Sequence, residues 1–201
     1  MKTGKLIVFE GADEVGKTTL ASMLAEELVS RGVPCELVGF PGSKVGTLGR
    51  HINELHHNPK RFHIECIDPT SLQLLHVAAH IDAIDCQILP ALKKNRTVIL
   101  DRFWWSTWVY GAVGRANRDS LKSAIDTEAI HWKGIQPSRV FLVTCSIPFE
   151  RQASIGKWKQ INAFYKRFAS QQRRKHPVTV IQNESTPEAA FAQVQKYVAT
   201  V

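Results

Sequence analysis

A glycine-rich segment near the start of the chain carries the clearest chemistry. Gly11, Gly16, Lys17 and Thr18 match the pattern G-x-x-x-x-G-K-[ST]. In such a loop the backbone amides face a polyphosphate, the lysine reaches its β- and γ-phosphates, and the threonine hydroxyl ligates Mg²⁺. The pattern predicts a phosphate-binding loop (P-loop), the plainer alternative being a glycine turn with a surface lysine. The predicted phosphate contacts are Gly11, Val15, Gly16, Lys17, Thr18 and Thr19.

Three further charged residues could complete this site. Asp101 and Arg102 follow an apolar run at residues 97–100, and ligands of parallel sheets lie beyond such strand ends. There the carboxylate could hold magnesium and the guanidinium could bind phosphate oxygens as a planar fork, unless the pair is structural. Asp13 lies inside the anion-binding loop, where it repels phosphate unless it points elsewhere. Its carboxylate is expected to bind a sugar hydroxyl or to face solvent.

Alternating strands and helices must position these residues. Short apolar runs predict strands, and apolar residues at three- and four-residue spacing predict the helices between them. Parallel neighbours need crossover connections, so the alternation predicts a doubly wound α/β sheet in a single domain over residues 1–201. The predicted strands are residues 5–10, 34–40, 97–100, 139–145 and 178–182, and the helices are 17–30, 48–58, 68–95 with a bend at Pro90, 104–111, 121–133, 148–172 and 187–198.

Composition narrows the class of protein. The 201 residues are 44% hydrophobic and carry a net charge of +8, which excludes a disordered chain and favours anionic partners. The basic residues fall where a phosphate-handling enzyme needs them, so no nucleic-acid partner is expected. The four widely spaced cysteines predict reduced core residues of a cytoplasmic protein, and no apolar run predicts a membrane span or a targeting segment.

Several segments together resemble the thymidylate kinases. They are FEGADEVGKTT at residues 9–19, FPG at 40–42, ILPAL at 88–92, DRFWWSTWVYGAVGR at 101–115 and INAFYKRFA at 161–169. The resemblance covers nearly the whole chain. It implies a P-loop NTPase fold with a parallel five-stranded sheet in the order 2-3-1-4-5, helices on both faces, and a homodimer. It also implies a magnesium-dependent kinase that transfers the γ-phosphoryl group of ATP to dTMP or a related pyrimidine deoxynucleotide.

The resemblance also assigns roles to particular residues. Asp13 would accept the 3′-hydroxyl of the deoxyribose, Arg102 would clamp the acceptor phosphate, and Thr18 and Asp101 would hold the metal. Lys17, Asp101 and Arg102 would be catalytic, together with the lid cations Arg151 and Lys157. The lid is short, at about residues 151–159, and lysine stabilises transferring phosphate less well than arginine. The remaining acceptor-binding residues would be Phe40, Arg50, His76, His80, Ser106, Thr107, Tyr110 and Arg115.

Departures from the family pattern leave the acceptor open. His76 and His80 stand where the family has a phenylalanine that stacks on thymine and an arginine that hydrogen-bonds it. Gly111 replaces a common glutamine, and Gly39 replaces an arginine whose charge Lys44 or Arg50 could supply. The two histidines could read a base, form a metal pair or be core residues. The alternatives to a dTMP kinase are therefore a kinase for another or modified nucleotide or nucleoside, and a catalytically weakened nucleotide-binding protein.

Overall fold

A parallel sheet of five strands in the order β2-β3-β1-β4-β5 forms the centre of the molecule. This computed structural model describes residues 4–42, 44–150 and 154–198. The sheet order and the surrounding helices confirm the predicted P-loop fold. The strands are β1 (Leu6–Glu10), β2 (Cys35–Gly39), β3 (Thr97–Asp101), β4 (Arg139–Thr144) and β5 (Val178–Gln182). The helices are α1 (Lys17–Ser30), α2 (Leu48–His57), α3 (Pro69–Ala83), α4 (Leu89–Lys93), α5 (Trp104–Val113), α6 (Arg118–His131), α7 (Ile155–Gln172) and α8 (Pro187–Val198).

The central strands are buried because helices cover the sheet on both sides. Every residue of β1 is buried, and β3 and β4 are buried except at one end, whereas the edge strands are only partly buried. This explains why their sequences are continuous apolar runs rather than alternating ones. Helix α1 packs against α8, while α3, α5, α6 and α7 form contacts with one another, as right-handed crossovers on opposite faces require.

Strand register brings the candidate residues to one edge of the sheet. Asp101 is the register partner of Phe9 on one side and of Gly39 on the other. The Phe40 amide donates to the Asp101 carbonyl at 2.8 Å, and the Arg102 amide donates to the Phe9 carbonyl at 2.9 Å. The P-loop after β1, the Asp101–Arg102 pair and the segment that begins with Phe40 therefore meet at the carboxyl edge.

Some helix bounds differ from the predicted ones. The helix predicted to start at residue 148 begins only at Ile155, where α7 starts. Residues 148–150 are not helical, and the Phe149 amide donates instead to the Glu14 carbonyl of the P-loop. Residues 155–159 of the expected lid thus belong to the first turns of α7. The long helix predicted over residues 68–95 is divided by a π-helical turn at Ile84–Ile88, directly before Pro90. Proline has no amide to donate, so the helical ladder is interrupted where the bend was expected.

The cysteine prediction was partly wrong. Cys145 is buried, but Cys66 and Cys86 are exposed, and all four cysteines are free thiols. Apolar neighbours along the chain did not indicate burial here, because Cys86 lies on the outer side of the π-helical turn. Among the described residues, none of the helices has the length and hydrophobicity needed to cross a bilayer.

Candidate active site

The P-loop curves through positive-φ positions before it enters α1. Gly11 has a φ of 145° and Gly16 a φ of 85°, conformations that side chains with a Cβ rarely adopt. Glu14 has a φ of 58°, so a non-glycine residue also occupies the left-handed region. Lys17 opens α1 and is only 5% exposed, and burial followed by the charge of Arg102 lowers its pKa to about 8. The loop thus places a buried cation at a helix N-terminus.

Four consecutive carbonyl groups of this loop are held by hydrogen bonds, three of them to elements that pack around the loop. The Ala12 carbonyl accepts from the Lys17 Nζ at 2.5 Å, and the Asp13 carbonyl accepts from the Trp158 Nε1 at 2.7 Å. The Glu14 carbonyl accepts from the Phe149 amide and the Val15 carbonyl from the Asn183 Nδ2, both at 3.0 Å. Three of these donors come from distant elements: the indole from α7, the amide from the segment after β4, and the carboxamide from the segment after β5.

Outward carbonyls fix the direction of the amides. In a trans peptide the C=O and the following N–H point to opposite sides, so carbonyls held outside turn the amides inward. The Asp13 amide donates to the Tyr110 hydroxyl at 3.0 Å, and none of the amides of residues 14–16 donates to a described residue. These amides are therefore available to an anion, and Val15, which is fully buried, can contribute only through its backbone.

Thr18 and Asp101 form the second part of the site. The Thr18 hydroxyl donates to Asp101 Oδ2 at 2.6 Å, although the two residues are 83 positions apart in the chain. The other carboxylate oxygen of Asp101, Oδ1, is enclosed and has no hydrogen-bond partner among the described residues. Magnesium prefers hard oxygen ligands, and this hydroxyl and carboxylate supply them. Among the described residues no group of three or more His, Cys, Asp or Glu side chains could hold a metal by itself.

Arg102 lies between the P-loop and the cavity beside it. It has a φ of 81°, its guanidinium donates to the Asp13 carboxylate, and its Nη1 donates to the Ser106 hydroxyl at 3.3 Å. Burial favours the neutral acid, but the charges of Arg102 and Lys17 outweigh it and hold the pKa of Asp13 below its ordinary value. Asp13 thus faces Arg102 rather than solvent alone, so its negative charge is compensated inside the anion-binding loop.

Glu10, the last residue of β1, accepts hydrogen bonds from the start of helix α5. One carboxylate oxygen accepts from the backbone amides of Phe103 at 2.8 Å and Ser106 at 3.1 Å, and the other from the Ser106 hydroxyl at 3.0 Å. Phe103 precedes α5 and has no capping side chain of its own, so Glu10 supplies the acceptor for the helix start. Burial raises the pKa of Glu10 to about 7.

A cavity of about 550 Å³ opens between the P-loop, Arg102 and helices α2, α3 and α5. Its wall includes most of the predicted acceptor residues, namely Asp13, Phe40, His76, His80, Arg102, Ser106, Thr107 and Tyr110, together with Thr18 and Asp101. The described part of the wall does not include Arg50 or Arg115. The Arg50 Nε donates to Glu54 at 2.7 Å on α2, and Arg115 is exposed beyond the end of α5. Lys44 is exposed and lines a different cavity, so neither proposed substitute for Gly39 reaches this wall.

The remaining predicted residues lie at the rim or beyond the described structure. Lys157 is exposed in the first turn of α7, where its backbone amide donates to the Ser154 hydroxyl at 3.3 Å. Thr19 is exposed in the first turn of α1. Arg151 lies outside the described residues. Of the aromatic residues at positions 103–110, only Tyr110 lines the described wall of the cavity. Trp105, for example, is fully buried in the core.

His76 and His80 have different environments. Burial, followed by the charges of His80 and His56, lowers the pKa of His76 to about 3, so its imidazole is neutral. Its Nε2 lies 3.2 Å from His56 Nδ1. His80 stacks on Phe40 with ring centroids 3.9 Å apart, and its Nδ1 lies 2.8 Å from the buried carboxylate of Glu128. His80 is thus fixed as part of the cavity wall.

Several residues of the site were not found from the sequence. Glu10, Trp158 and Asn183 act through contacts with the loop or helix start, and Gln73, His56 and His57 line the cavity. Glu10 offered one signal, because a carboxylate at the end of an apolar strand must find partners when it is buried. The others belong to elements whose spacing shows only an ordinary helix or turn.

Comparisons with known proteins identify the family of this chain. The thymidylate kinase family matches residues 9–173. The chain is 36% identical over 141 residues to a thymidylate kinase of Pelotomaculum thermopropionicum, covering 70% of this chain and 62% of that protein. It is 32% identical over 137 residues to a thymidylate kinase of Neorickettsia sennetsu, covering 68% of this chain and 64% of that protein. Each alignment spans less than two thirds of the relative's own length.

A solved structure resembles the whole fold. The crystal structure of thymidylate kinase from Ehrlichia chaffeensis superposes with a TM-score of 0.79 and covers 98% of this chain and 99% of that one. At 22% sequence identity this likeness concerns the fold. The two chains therefore share one fold.

Proposed function

Because the chain belongs to the thymidylate kinase family, we propose that it is a kinase that transfers the γ-phosphoryl group of ATP to dTMP or a related pyrimidine deoxynucleotide. The observation that carries this proposal is the junction of the P-loop with a cavity beside it. Lys17, Thr18 and Asp101 lie on the donor side of this junction, and Arg102 lies at the boundary. One anionic ligand on the loop and another in the cavity would meet at Arg102.

The donor side binds the triphosphate of ATP. The inward amides of residues 14–16 and the positive end of α1 attract the phosphate oxygens, and Lys17 exchanges the Ala12 carbonyl for a phosphate. Thr18 and Asp101 would hold Mg²⁺, which supplies charge neutralisation and geometry when it is bound. The carbonyl contacts of the loop keep these donors oriented before the ligand arrives, so less ordering is needed on binding.

The acceptor side orients the monophosphate. Arg102 would move one branch of its guanidinium from Asp13 to the acceptor phosphate, which frees Asp13 to accept the 3′-hydroxyl of the sugar. Ser106 and Tyr110 support this exchange, because the first contacts Arg102 and the second contacts the Asp13 amide. The neutral ring of His76 offers an aromatic face to a base, as a phenylalanine would.

The reaction needs no covalent intermediate on the protein. An oxygen of the acceptor phosphate attacks the γ-phosphorus in line, the bond to the β–γ bridging oxygen breaks, and ADP leaves with that oxygen. The protein aligns the two ligands and neutralises charge through Lys17 and Arg102. Lys157 and Arg151, on the short lid, are proposed to add charge when the lid closes over the donor.

The test is a panel of nucleoside monophosphates assayed by ADP release with ATP and Mg²⁺. We expect pyrimidine deoxynucleotides to be the best acceptors. Asp101→Asn and Arg102→Ala should lower kcat at least about 100-fold, while ATP binding by calorimetry changes far less. The first would weaken the hold on Mg²⁺ and the second removes positive charge, and both contributions act mainly in the transition state. ATP binding without ADP formation on any acceptor would contradict the kinase proposal and support the weakened, nucleotide-binding alternative.

The proposal includes three features of the whole protein. The chain acts as a single domain with its lid at about residues 151–159, works as a homodimer and is cytoplasmic. The four free thiols suit a reducing compartment. Sedimentation velocity at micromolar concentration tests the dimer, and a single cooperative unfolding transition tests the single domain.

A further inference from the structure

One buried side chain of the acceptor cavity has unused hydrogen-bonding groups. Gln73 lies on α3 and lines the cavity, and the whole residue is only 7% exposed. Its carboxamide makes no hydrogen bond to any described residue. Neither its amide oxygen nor its amide nitrogen is fully enclosed, so part of the small exposed surface of Gln73 belongs to the amide itself. A buried amide costs free energy unless a partner reaches it, which in this cavity means solvent or a ligand.

Helix α5 leaves space for this side chain. A Cβ atom at Gly111 would lie 2.7 and 2.8 Å from the two terminal carbons of Leu121 and 3.2 Å from Cγ of Gln73. The absence of a side chain at position 111 therefore lets the stem of Gln73 pass directly beside α5. The packing holds this stem in place, so the amide is presented from a fixed base rather than from a mobile surface chain.

Most neighbouring polar groups of the cavity wall already contact other side chains. His76 interacts with His56, and His80 is held by Glu128 and stacks on Phe40. Thr107 is the exception, because its enclosed hydroxyl has no hydrogen-bond partner in the described part of the chain and the residue lines the same cavity. Two side chains with free hydrogen-bonding capacity, Gln73 and Thr107, therefore stand on adjacent helices and line the same cavity as His76.

We propose that Gln73 is a specificity-determining residue that hydrogen-bonds the edge of the acceptor base, with Thr107 beside it. This inference rests on the proposed function. A carboxamide accepts one hydrogen bond at oxygen and donates from nitrogen, so it matches the N3–H and adjacent carbonyl of a thymine or uracil ring. The base would then be held between the neutral face of His76 and this amide edge.

The test compares Gln73→Met, which keeps the length of the side chain but removes the amide, with the wild type. We expect the Kd of dTMP, measured by calorimetry, to rise at least about tenfold, the loss expected when a polar edge of the ligand is left unpaired. The Kd of 2-deoxyribose 5-phosphate, which has no base, and that of ATP should stay within about twofold. Gln171→Met, on the exposed surface of α7, is the matched control and should change none of these values.

Other outcomes would overturn the inference. A Kd of dTMP within twofold of the wild-type value would do so, and so would an equal loss for dTMP and the base-free sugar phosphate, which indicates a structural effect. Thermal stability separates the two roles, because Gln73→Met and Gln73→Ala should keep a folded protein if the amide has no structural partner. Binding of dTMP by the wild type without turnover would refute the kinase proposal and leave this inference standing, whereas no binding of any pyrimidine monophosphate would refute both.

Discussion

The indole of Trp158 offers a direct test of how the P-loop is held. This side chain is 4% exposed, and its Nε1 donates to the Asp13 carbonyl at 2.7 Å, across 145 positions of the chain. Trp158→Phe keeps an aromatic ring but removes this donor. The Asp13 carbonyl then lacks its partner, and the peptide that joins Asp13 to Glu14 is free to turn.

The magnitude follows from the loss of one well-formed hydrogen bond. A neutral hydrogen bond contributes about 1 kcal/mol net, and leaving a buried acceptor unpaired costs about 1–3 kcal/mol. If binding of ATP must restore the inward amide, about 1 kcal/mol of this cost enters the binding free energy. We expect the Kd of ATP to rise about fivefold, while the free energy of unfolding falls by about 2 kcal/mol because the smaller ring also leaves a cavity.

The assay is calorimetric titration with ATP and Mg²⁺, together with urea unfolding. Trp108→Phe is the matched control, because this half-buried indole stacks on Phe168 and makes no hydrogen bond to the described P-loop residues. It should lose some stability but keep its affinity for ATP. An unchanged Kd in Trp158→Phe, or an equal rise in both variants, would refute the idea that the outward carbonyl contacts preorganise the loop.

Two other predictions concern pH. Because the pKa of Lys17 in the free protein is lowered to about 8, the affinity for ATP should fall as the pH rises through 8, and Lys17→Ala should abolish both the binding and this dependence; a constant Kd from pH 7 to 9 in the wild type would contradict it. Glu10 has its pKa raised from 4.5 to about 7, so between those values the folded state binds more protons than the unfolded state and stability falls with rising pH, by roughly 3 kcal/mol in all. Urea unfolding from pH 4.5 to 8 measures this slope, which Glu10→Gln should remove because the amide does not titrate in this range. An equal slope in the wild type and in Glu10→Gln would contradict the assignment.

The sequence by itself determined the parts of this protein that depend on local pattern. The P-loop spacing, the strand before it and the helix after it are adjacent in the chain, so residue order alone predicted them. The apolar runs and crossovers predicted a parallel sheet, and the order of the motifs predicted the family. Asp101 and Arg102 could be placed at the site because parallel strands bring their carboxyl ends to one edge, which is a rule of topology rather than of packing.

Only the tertiary structure decided which side chains complete the site. The P-loop carbonyls are held by Trp158 and Asn183, which lie 145 and 168 positions from their partners, and no local spacing encodes such contacts. Likewise, the hydrogen bond of the Arg50 Nε to Glu54, one helical turn away, was not predicted, and the role of Arg50 toward the acceptor stays a prediction. Gln73 had no signal at all, because a glutamine within a helix is ordinary until packing buries it beside a cavity and leaves its amide without a partner. Burial and long-range hydrogen bonding arise from the assembled fold. The phosphate-binding loop and most of the acceptor wall were therefore predictable from the chain and its resemblance, whereas the contacts that fix the loop and the unpartnered amide of Gln73 were not.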